Sequence, residues 1–460
     1  MRENTADRNS FRHALTIDAD VCVGCAHCMR VCPTEAVRVR QGKAMLKNNR
    51  CIDCGECFNV CPSGAIIIKQ DEFDSIFAYK HRVALIPAVI IGQFPEDVTP
   101  DMICQALVSI GFTKIMLVED SVEYLIPQVR HYVENADCEK PIISSYCPAI
   151  VRLIQVKFPS LVGNLMLLRP PLDLTTAYVK QELMREGASD HEIGVFYITP
   201  CAAKIAAIKS PVGEDRSEVT GVFNMDFIYN RILRQIRHKD VDPSIAVKYK
   251  PLSSRSLRWS LTGGEANEVK GSCLAIDGIA NVIQFLEKIE NEEITGVDFL
   301  ELRSCDQSCA GGALTAGNRF IAVEHLHKDS VALSAKKVVS DKILRDYKTA
   351  NEGKTALRRV EPRSMLKLDE DMAMAMQKME RVNRMMCHLP GVDCGVCGAP
   401  SCSALAEDIV QGEASISQCV FLQRSMEQNK LSPDHAFKIM KQVWGDDRFK
   451  KNCNKPYNSK

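Results

Sequence analysis

Apolar and polar positions alternate in two different periods through the middle of the chain. Val83-Ala-Leu-Ile-Pro-Ala-Val-Ile-Ile91 is a continuous apolar run of the kind a buried strand carries, and Met102 to Ile110 has helical spacing. Lys114 to Val118 predicts a strand, Ser121 to Glu134 a helix interrupted near Pro127, and Pro141 to Ser144 another strand. A helix over Ala149 to Phe158 follows, then a strand over Glu192 to Ile198 and a helix after Cys201. Ser272 to Ile276 is strand-like, and a helix starts at Ile279. Strands alternating with helices imply a mostly parallel sheet. Beyond Gly317-Asn318 the chain turns helical and charged. Met372, Met376, Met379 and Met386 share one helical face there, a stripe expected to pack.

Bulk properties narrow the setting. The chain has 460 residues, enough for three or so domains. Lys plus Arg and Asp plus Glu both number 58, which gives no support for nucleic acid or an anionic membrane as partner. Residues 1–7 lead into polar sequence without an apolar signal segment, and the run around Val83 to Ile91 is too short to span a bilayer. A soluble, cytoplasmic protein is expected.

The 21 cysteines change the picture, because they come grouped in threes and fours. In a reducing compartment such grouping points to thiolates on metal, not to disulfides. Cys22-Val-Gly-Cys25-Ala-His-Cys28-Met-Arg-Val-Cys32-Pro33 recurs 29 residues later as Cys51-Ile-Asp-Cys54-Gly-Glu-Cys57-Phe-Asn-Val-Cys61-Pro62. Both copies are C-x2-C-x2-C-x3-C-P, the bacterial ferredoxin run. Three thiolates on a tight loop wrap one cube, and the fourth points away to the neighbouring cube. Cys22, Cys25, Cys28 and Cys61 are therefore assigned to one 4Fe–4S cluster, and Cys51, Cys54, Cys57 and Cys32 to another, as an electron relay. Zinc sites use cysteine pairs instead of a triplet plus one.

Three further cysteine segments each follow a predicted strand: Ser144-Ser-Tyr-Cys147-Pro148, Thr199-Pro200-Cys201-Ala-Ala-Lys204, and Arg303-Ser304-Cys305-Asp-Gln-Ser-Cys309-Ala-Gly311-Gly312. Ligands collect at the carboxyl ends of strands in open α/β sheets, so four cysteines from three segments can converge there. These segments resemble the three signature motifs of iron–iron hydrogenases, over roughly His81 to Phe320, with Thr262-Gly263-Gly264 and Ile276-Asp-Gly278-Ile-Ala-Asn281 as further landmarks. The resemblance implies an H-cluster. Cys147, Cys201, Cys305 and Cys309 would hold a cube, with Cys309 bridging to a two-iron subcluster that bears CO, cyanide and an azadithiolate. Lys204 would donate to a cyanide.

The chain departs from that pattern where protons travel. Tyr146 stands where productive relatives place a cysteine proton donor. A phenol titrates near ~10 against ~8.5 for a thiol, so it exchanges protons less readily at neutral pH. Met166 falls where a path serine is expected, and Ala207 where a glutamate follows the motif lysine. Thr199 and Arg303 replace methionines beside the cluster. Glu123, with Asp120 or Glu119, is the remnant carboxylate of the path. Ligands kept and relay altered predict slow turnover, which suits a sensory or regulatory hydrogenase.

Near the C-terminus, Cys394-Gly-Val-Cys397-Gly-Ala-Pro-Ser-Cys402 with Cys419 resembles the small four-cysteine domain of electron-transport and corrinoid proteins. The resemblance implies a third accessory 4Fe–4S cluster on Cys394, Cys397, Cys402 and Cys419; zinc shares the C-x2-C start and is the alternative. Cys104, Cys138, Cys273, Cys387 and Cys453 stay unassigned, and Cys104 and Cys273 are expected in cores.

The expected architecture is an α/β hydrogenase (H-cluster) domain with parallel sheets, an N-terminal α+β ferredoxin domain and a small C-terminal helical Fe–S domain. Its boundaries are 1–78 for the ferredoxin domain, 79–365 for the H-cluster domain, 366–386 for a helical connector, 387–425 for the four-cysteine domain and 426–460 for a polar tail. The expected activity is interconversion of dihydrogen with protons and electrons. The expected partners are a redox protein such as ferredoxin and a separate signalling protein, since no signalling module is recognisable on the chain. The alternatives are a ferredoxin-dependent metabolic hydrogenase and a non-catalytic electron-transfer or cluster-assembly protein without the two-iron subcluster.

Overall fold

The computed structural model describes residues 12–135, 140–238, 249–333, 340–363, 368–369 and 371–429. Cys138, Cys453 and the tail from Ser432 lie outside them. The chain divides into two compact units, one formed by residues 1–15, 52–55 and 68–362, the other by 16–51, 56–67 and 363–460.

The larger unit is built on two parallel sheets. In the first, the strands run in the order Lys114–Leu117, His81–Ile86, Ile193–Thr199 and Gly221–Asn224, all pairs parallel. Val83, Ala84, Leu85 and Ile86 are buried on both faces, which is why this strand reads as one apolar run. The strand ends sooner than the run does. Pro87 cannot donate to a ladder, and Ala88–Gln93 continues as a 3₁₀ helix. In the second sheet Phe299–Leu302 lies between Cys273–Ile276 and the two-residue strand Ile142–Ile143, again parallel.

Helices cover the strands. Pro100–Ser109 begins where Thr99 accepts from the Met102 N–H, with Pro100 at a position whose N–H would be unpaired anyway. Val122–Asn135 is continuous through Pro127, unlike the interrupted helix expected, because its buried face of Leu125, Ile126, Val129 and Val133 holds it in place. Pro148–Lys157 and Ala202–Lys209 start directly after Cys147 and Cys201. The apolar pattern did not announce the helix Pro171–Arg185, which opens on two prolines and carries Asp173 in its first turn. Aromatic residues fill the core, with Phe196 stacked on Phe223 and Phe112 edge-on to Phe73.

The smaller unit combines the N-terminal cysteine runs with the C-terminal helices. Strands Val37–Arg40 and Lys43–Leu46 form an antiparallel hairpin, and the short helices His27–Val31 and Glu56–Asn59 carry the third cysteine of each run. The helices Met372–Met386, Cys402–Val410 and Val420–Asn429 gather around Val382, Leu389, Leu405 and Leu422. The methionine stripe is only half packed. Met379 and Met386 meet this core, whereas Met372 and Met376 are exposed, because the first turns of their helix run past it.

The hairpin and the C-terminal helices are joined by a buried charge network. Arg38 Nε donates to Asp408 Oδ2 at 2.7 Å, Arg40 donates to the same carboxylate, and Arg50 pairs with Glu407. The Val39 N–H donates to the Gly398 carbonyl at 2.8 Å. A Cβ on Gly398 would stand 2.0 Å from the Val39 oxygen, so only glycine allows this approach.

Candidate metal centre

Strand ends deliver the four central cysteines. Cys201 follows Ile193–Thr199 of the first sheet. Cys147 and Cys305 follow Ile142–Ile143 and Phe299–Leu302, which are hydrogen-bonded neighbours in the second. All four are half-buried free thiols. Cys305 has Cys201, Cys147 and Cys309 among its charged neighbours, so three separate segments meet at one place. Burial and then the neighbouring sulfurs push the Cys305 thiol far up. Burial likewise pushes Cys201 up to about 12, against the lowering pull of Lys204. Such a set favours a cationic centre, since coordination deprotonates thiols that otherwise hold their protons.

The Cys305–Cys309 loop is held from behind. Thr262 Oγ1 reaches Asp277 Oδ2 at 2.6 Å and Ser308 Oγ at 2.7 Å, and Asp277 accepts from the Gln307 N–H. Gln307 and Ser308 both have positive φ, 61° and 52°, a turn that presents Cys309. The Glu301 carboxylate accepts three backbone N–H groups, from Gly263, Glu265 and Ala266, and so fixes the Gly263-Gly264 loop. A Cβ on Gly264 would strike the Arg258 oxygen at 2.2 Å.

Around Cys309 the side chains form a cationic, aromatic nest. Lys204 Nζ lies 3.7 Å from Cys309 Sγ, and the Tyr146 hydroxyl 3.9 Å from the same sulfur. The Tyr146 ring has Lys204 Nζ 4.7 Å and the Arg303 guanidinium 4.1 Å from its centroid. Arg303 is buried and bonded to Glu265 at 2.9 Å, with Glu301 at 3.3 Å. Burial, then the Cys309 charge, drives the Tyr146 hydroxyl well above its usual range. Lys204 is also raised: burial opposes its charge, and the Cys309 sulfur beside it pulls the other way. Tyr146 is therefore neutral and Lys204 cationic at neutral pH. A cavity of about 110 Å³ adjoins this nest, lined by Tyr146, Met166, Lys204, Ala207 and Asp173 among others.

Of the carboxylates named from sequence, Glu123 is engaged elsewhere. It accepts from Ser253 Oγ at 2.5 Å and pairs with Arg255. Asp120 pairs with Lys250. Glu119 is the one whose field reaches Lys204. It is buried, accepts from the Ala88 N–H at 2.8 Å, and is pushed up to about 7 by burial. Glu265 was missed, although it directly follows the glycine pair.

The accessory sets fall as follows. Cys22, Cys25, Cys28 and Cys61 line one small cavity, with the Ala44 N–H 3.3 Å from the Cys22 sulfur. Cys394, Cys397, Cys402 and Cys419 line another. Burial pushes the Cys57 thiol up to about 12, with Cys32 and Cys28 adding to the rise. Cys54 groups with the larger unit, and Cys32, Cys51 and Cys57 with the smaller. Cys104 is buried, as expected of a core residue, and Cys273 is half-buried. Cys387 is disulfide-bonded, against the expectation of thiols throughout; the other described cysteines are free.

Parts of the chain are similar to known proteins. Residues 80–228 match the C-terminal domain of the iron-only hydrogenase large subunit, residues 21–66 a 4Fe–4S dicluster domain, and residues 389–421 an Fe–S cluster family. No curated protein matches the chain. Among solved structures, one variant of the FeFe-hydrogenase of Chlamydomonas reinhardtii is similar at 12% identity and TM-score 0.45, covering 64% of this chain and 97% of that one. A second variant is similar at 12% identity and TM-score 0.43, covering 61% and 94%. No described helix is long and apolar enough to cross a membrane. Iron–sulfur family matches thus stand on either side of a segment, residues 80–228, that matches the iron-only hydrogenase large subunit.

Proposed function

We propose that the chain is a slow iron–iron hydrogenase that interconverts dihydrogen with two protons and two electrons, and serves to sense dihydrogen more than to make it. The observation that carries the reading is the convergence of Cys147, Cys201, Cys305 and Cys309 at strand ends, with the Lys204 ammonium 3.7 Å from the Cys309 sulfur. Four half-buried thiols suit a cube, and a buried cation beside the last of them suits an anionic group next to it. The H-cluster, when bound, supplies the iron at which dihydrogen is formed or split.

The protein's own groups do the rest. Lys204 stays protonated and orients an anionic ligand. Arg303, fixed by Glu265 and Glu301, and Lys204 together hold the Tyr146 ring and aim its hydroxyl at Cys309. Met166 and Ala207 line the cavity without a titratable group, which supports a slow proton supply; a positioned acid or base is worth ~10²–10⁴-fold. We assign three accessory cubes, on Cys22, Cys25, Cys28 and Cys61, on Cys32, Cys51, Cys54 and Cys57, and on Cys394, Cys397, Cys402 and Cys419. They exchange single electrons with a redox partner such as ferredoxin. A separate signalling partner in the cytoplasm reads the state of the enzyme.

Infrared spectroscopy of protein matured with synthetic cofactor tests the reading. CO and cyanide bands that change between dihydrogen and inert gas are expected. Their absence leaves a non-catalytic electron-transfer or cluster-assembly protein, and turnover matching a fast hydrogenase removes the sensory role.

A further inference from the structure

The cavity beside Tyr146 and Lys204 has a second wall that the metal centre leaves unused. Asp173 and Glu214 both line it. Glu214 also lines a larger groove of about 770 Å³, together with Arg169, Lys180, Glu218 and Arg358. Among the described residues, no other lines both spaces. Glu214 is ion-paired with Arg169, and the charged groups that face Asp173 are Glu214, Arg169 and Glu218.

We propose that Glu214 and Asp173 form a proton path from the charged groove to the cavity that holds Tyr146 and Lys204, in place of the route that Met166 and Ala207 interrupt. The path rests on the hydrogenase reading. A proton from groove water binds the Glu214 carboxylate. The Glu214 O–H bond breaks as an O–H bond forms on Asp173. Asp173 then passes its proton through cavity water toward Tyr146. Each transfer breaks one O–H bond and makes one, with no electrons exchanged, and the sequence reverses when dihydrogen is oxidised. A space of about 110 Å³ is ample for water, which needs ~10–15 Å³ of such volume per molecule.

The two carboxyls suit the task. Burial, and then the Glu214 charge, pushes Asp173 up to about 7 against the pull of Arg169. Burial also raises Glu214, against Arg169 and Arg358 and with Glu218 adding to the rise. A carboxyl raised toward the working pH gives and takes protons more readily than one held at its ordinary value.

The test uses matured full-length protein that shows CO and cyanide bands. Asp173→Asn and Glu214→Gln are expected to slow dihydrogen oxidation at least ~tenfold and to remove the neutral-pH limb of the pH–rate profile, with bands unchanged, and Asp173→Glu to restore most of the rate. In protein without the cofactor, infrared pH titration is expected to show a protonated-carboxyl band near neutrality that Asp173→Asn abolishes. Wild-type rates and pH profiles in both variants overturn the path. So does a missing Asp173 carboxyl band, or a slowed variant whose cofactor bands are also lost. If the wild-type protein shows no CO or cyanide bands, the hydrogenase reading falls and the path falls with it.

Discussion

The Tyr146 hydroxyl stands 3.9 Å from the Cys309 sulfur, and the cations Lys204 and Arg303 both lie against its ring. Two cations on one ring fix its orientation, each worth ~0.5–2 kcal/mol when desolvated. The phenol therefore occupies the position of a proton donor while its proton is held tightly, since burial and the Cys309 charge raise it well above the usual phenol range. Tyr146→Cys should raise dihydrogen turnover in matured protein at least ~tenfold, because a thiol exchanges protons more readily. Tyr146→Phe should lower it by a similar factor. A rate indifferent to both changes removes Tyr146 from the proton route.

Lys204 is buried beside Cys309, whose sulfur favours its charge against desolvation. Replacing it with methionine keeps the stem and removes the charge. Lys204→Met should weaken retention of the two-iron cofactor ~10–100-fold, the usual cost of losing an outer-shell partner. The cube signal in electron paramagnetic resonance should survive. Loss of the cube as well shows that Lys204 holds the fold instead of the cofactor.

Much of this cysteine cluster is legible in the sequence, because its thiols come in short motifs that directly follow strands. The strand runs before Cys147 and Cys201 place those thiols, and glycine pairs mark the loop behind Cys309. Legibility ends where contacts are long-range. Glu119 and Glu123 sit one helical turn apart, and only the fold decides that Arg255 engages Glu123 while Glu119 faces Lys204. Asp173 looks like an ordinary first-turn acid of a helix, and nothing in its neighbourhood in sequence predicts that Glu214, some forty positions on, shares its cavity. The Arg38–Asp408 pair joins residues 370 positions apart, beyond any local pattern.

That pair makes a separate prediction. Arg38 and Asp408 are 2% and 3% exposed, and the Asp408 carboxylate also faces Arg40 and Lys47. Removing one partner of a buried pair typically costs ~3–5 kcal/mol, whereas replacing both with apolar residues is often neutral. Asp408→Ala should destabilise the smaller unit by about that amount in a urea titration of the full chain, and Arg38→Met with Asp408→Leu should recover most of it. An equal loss in the single and the double variant shows that the fit of the hairpin, not the charge, is what matters.

The last prediction concerns pH. Asp173 and Glu119 are both pushed up to about 7, burial being the largest cause for each. Unfolded, such groups titrate near ~4. Between these values the folded state holds more protons than the unfolded one, so stability falls as pH rises across this window and is fully present only below it. Each group contributes at most ~1.4 kcal/mol per pH unit. In protein without its cofactor, urea midpoints should drop from pH 5 to pH 7. Asp173→Asn, which cannot ionise, should flatten that slope and gain on the wild type as pH rises. A variant whose slope equals that of the wild type places the Asp173 carboxyl in its ionised form throughout, and the proton path through it then has no acid to carry the proton.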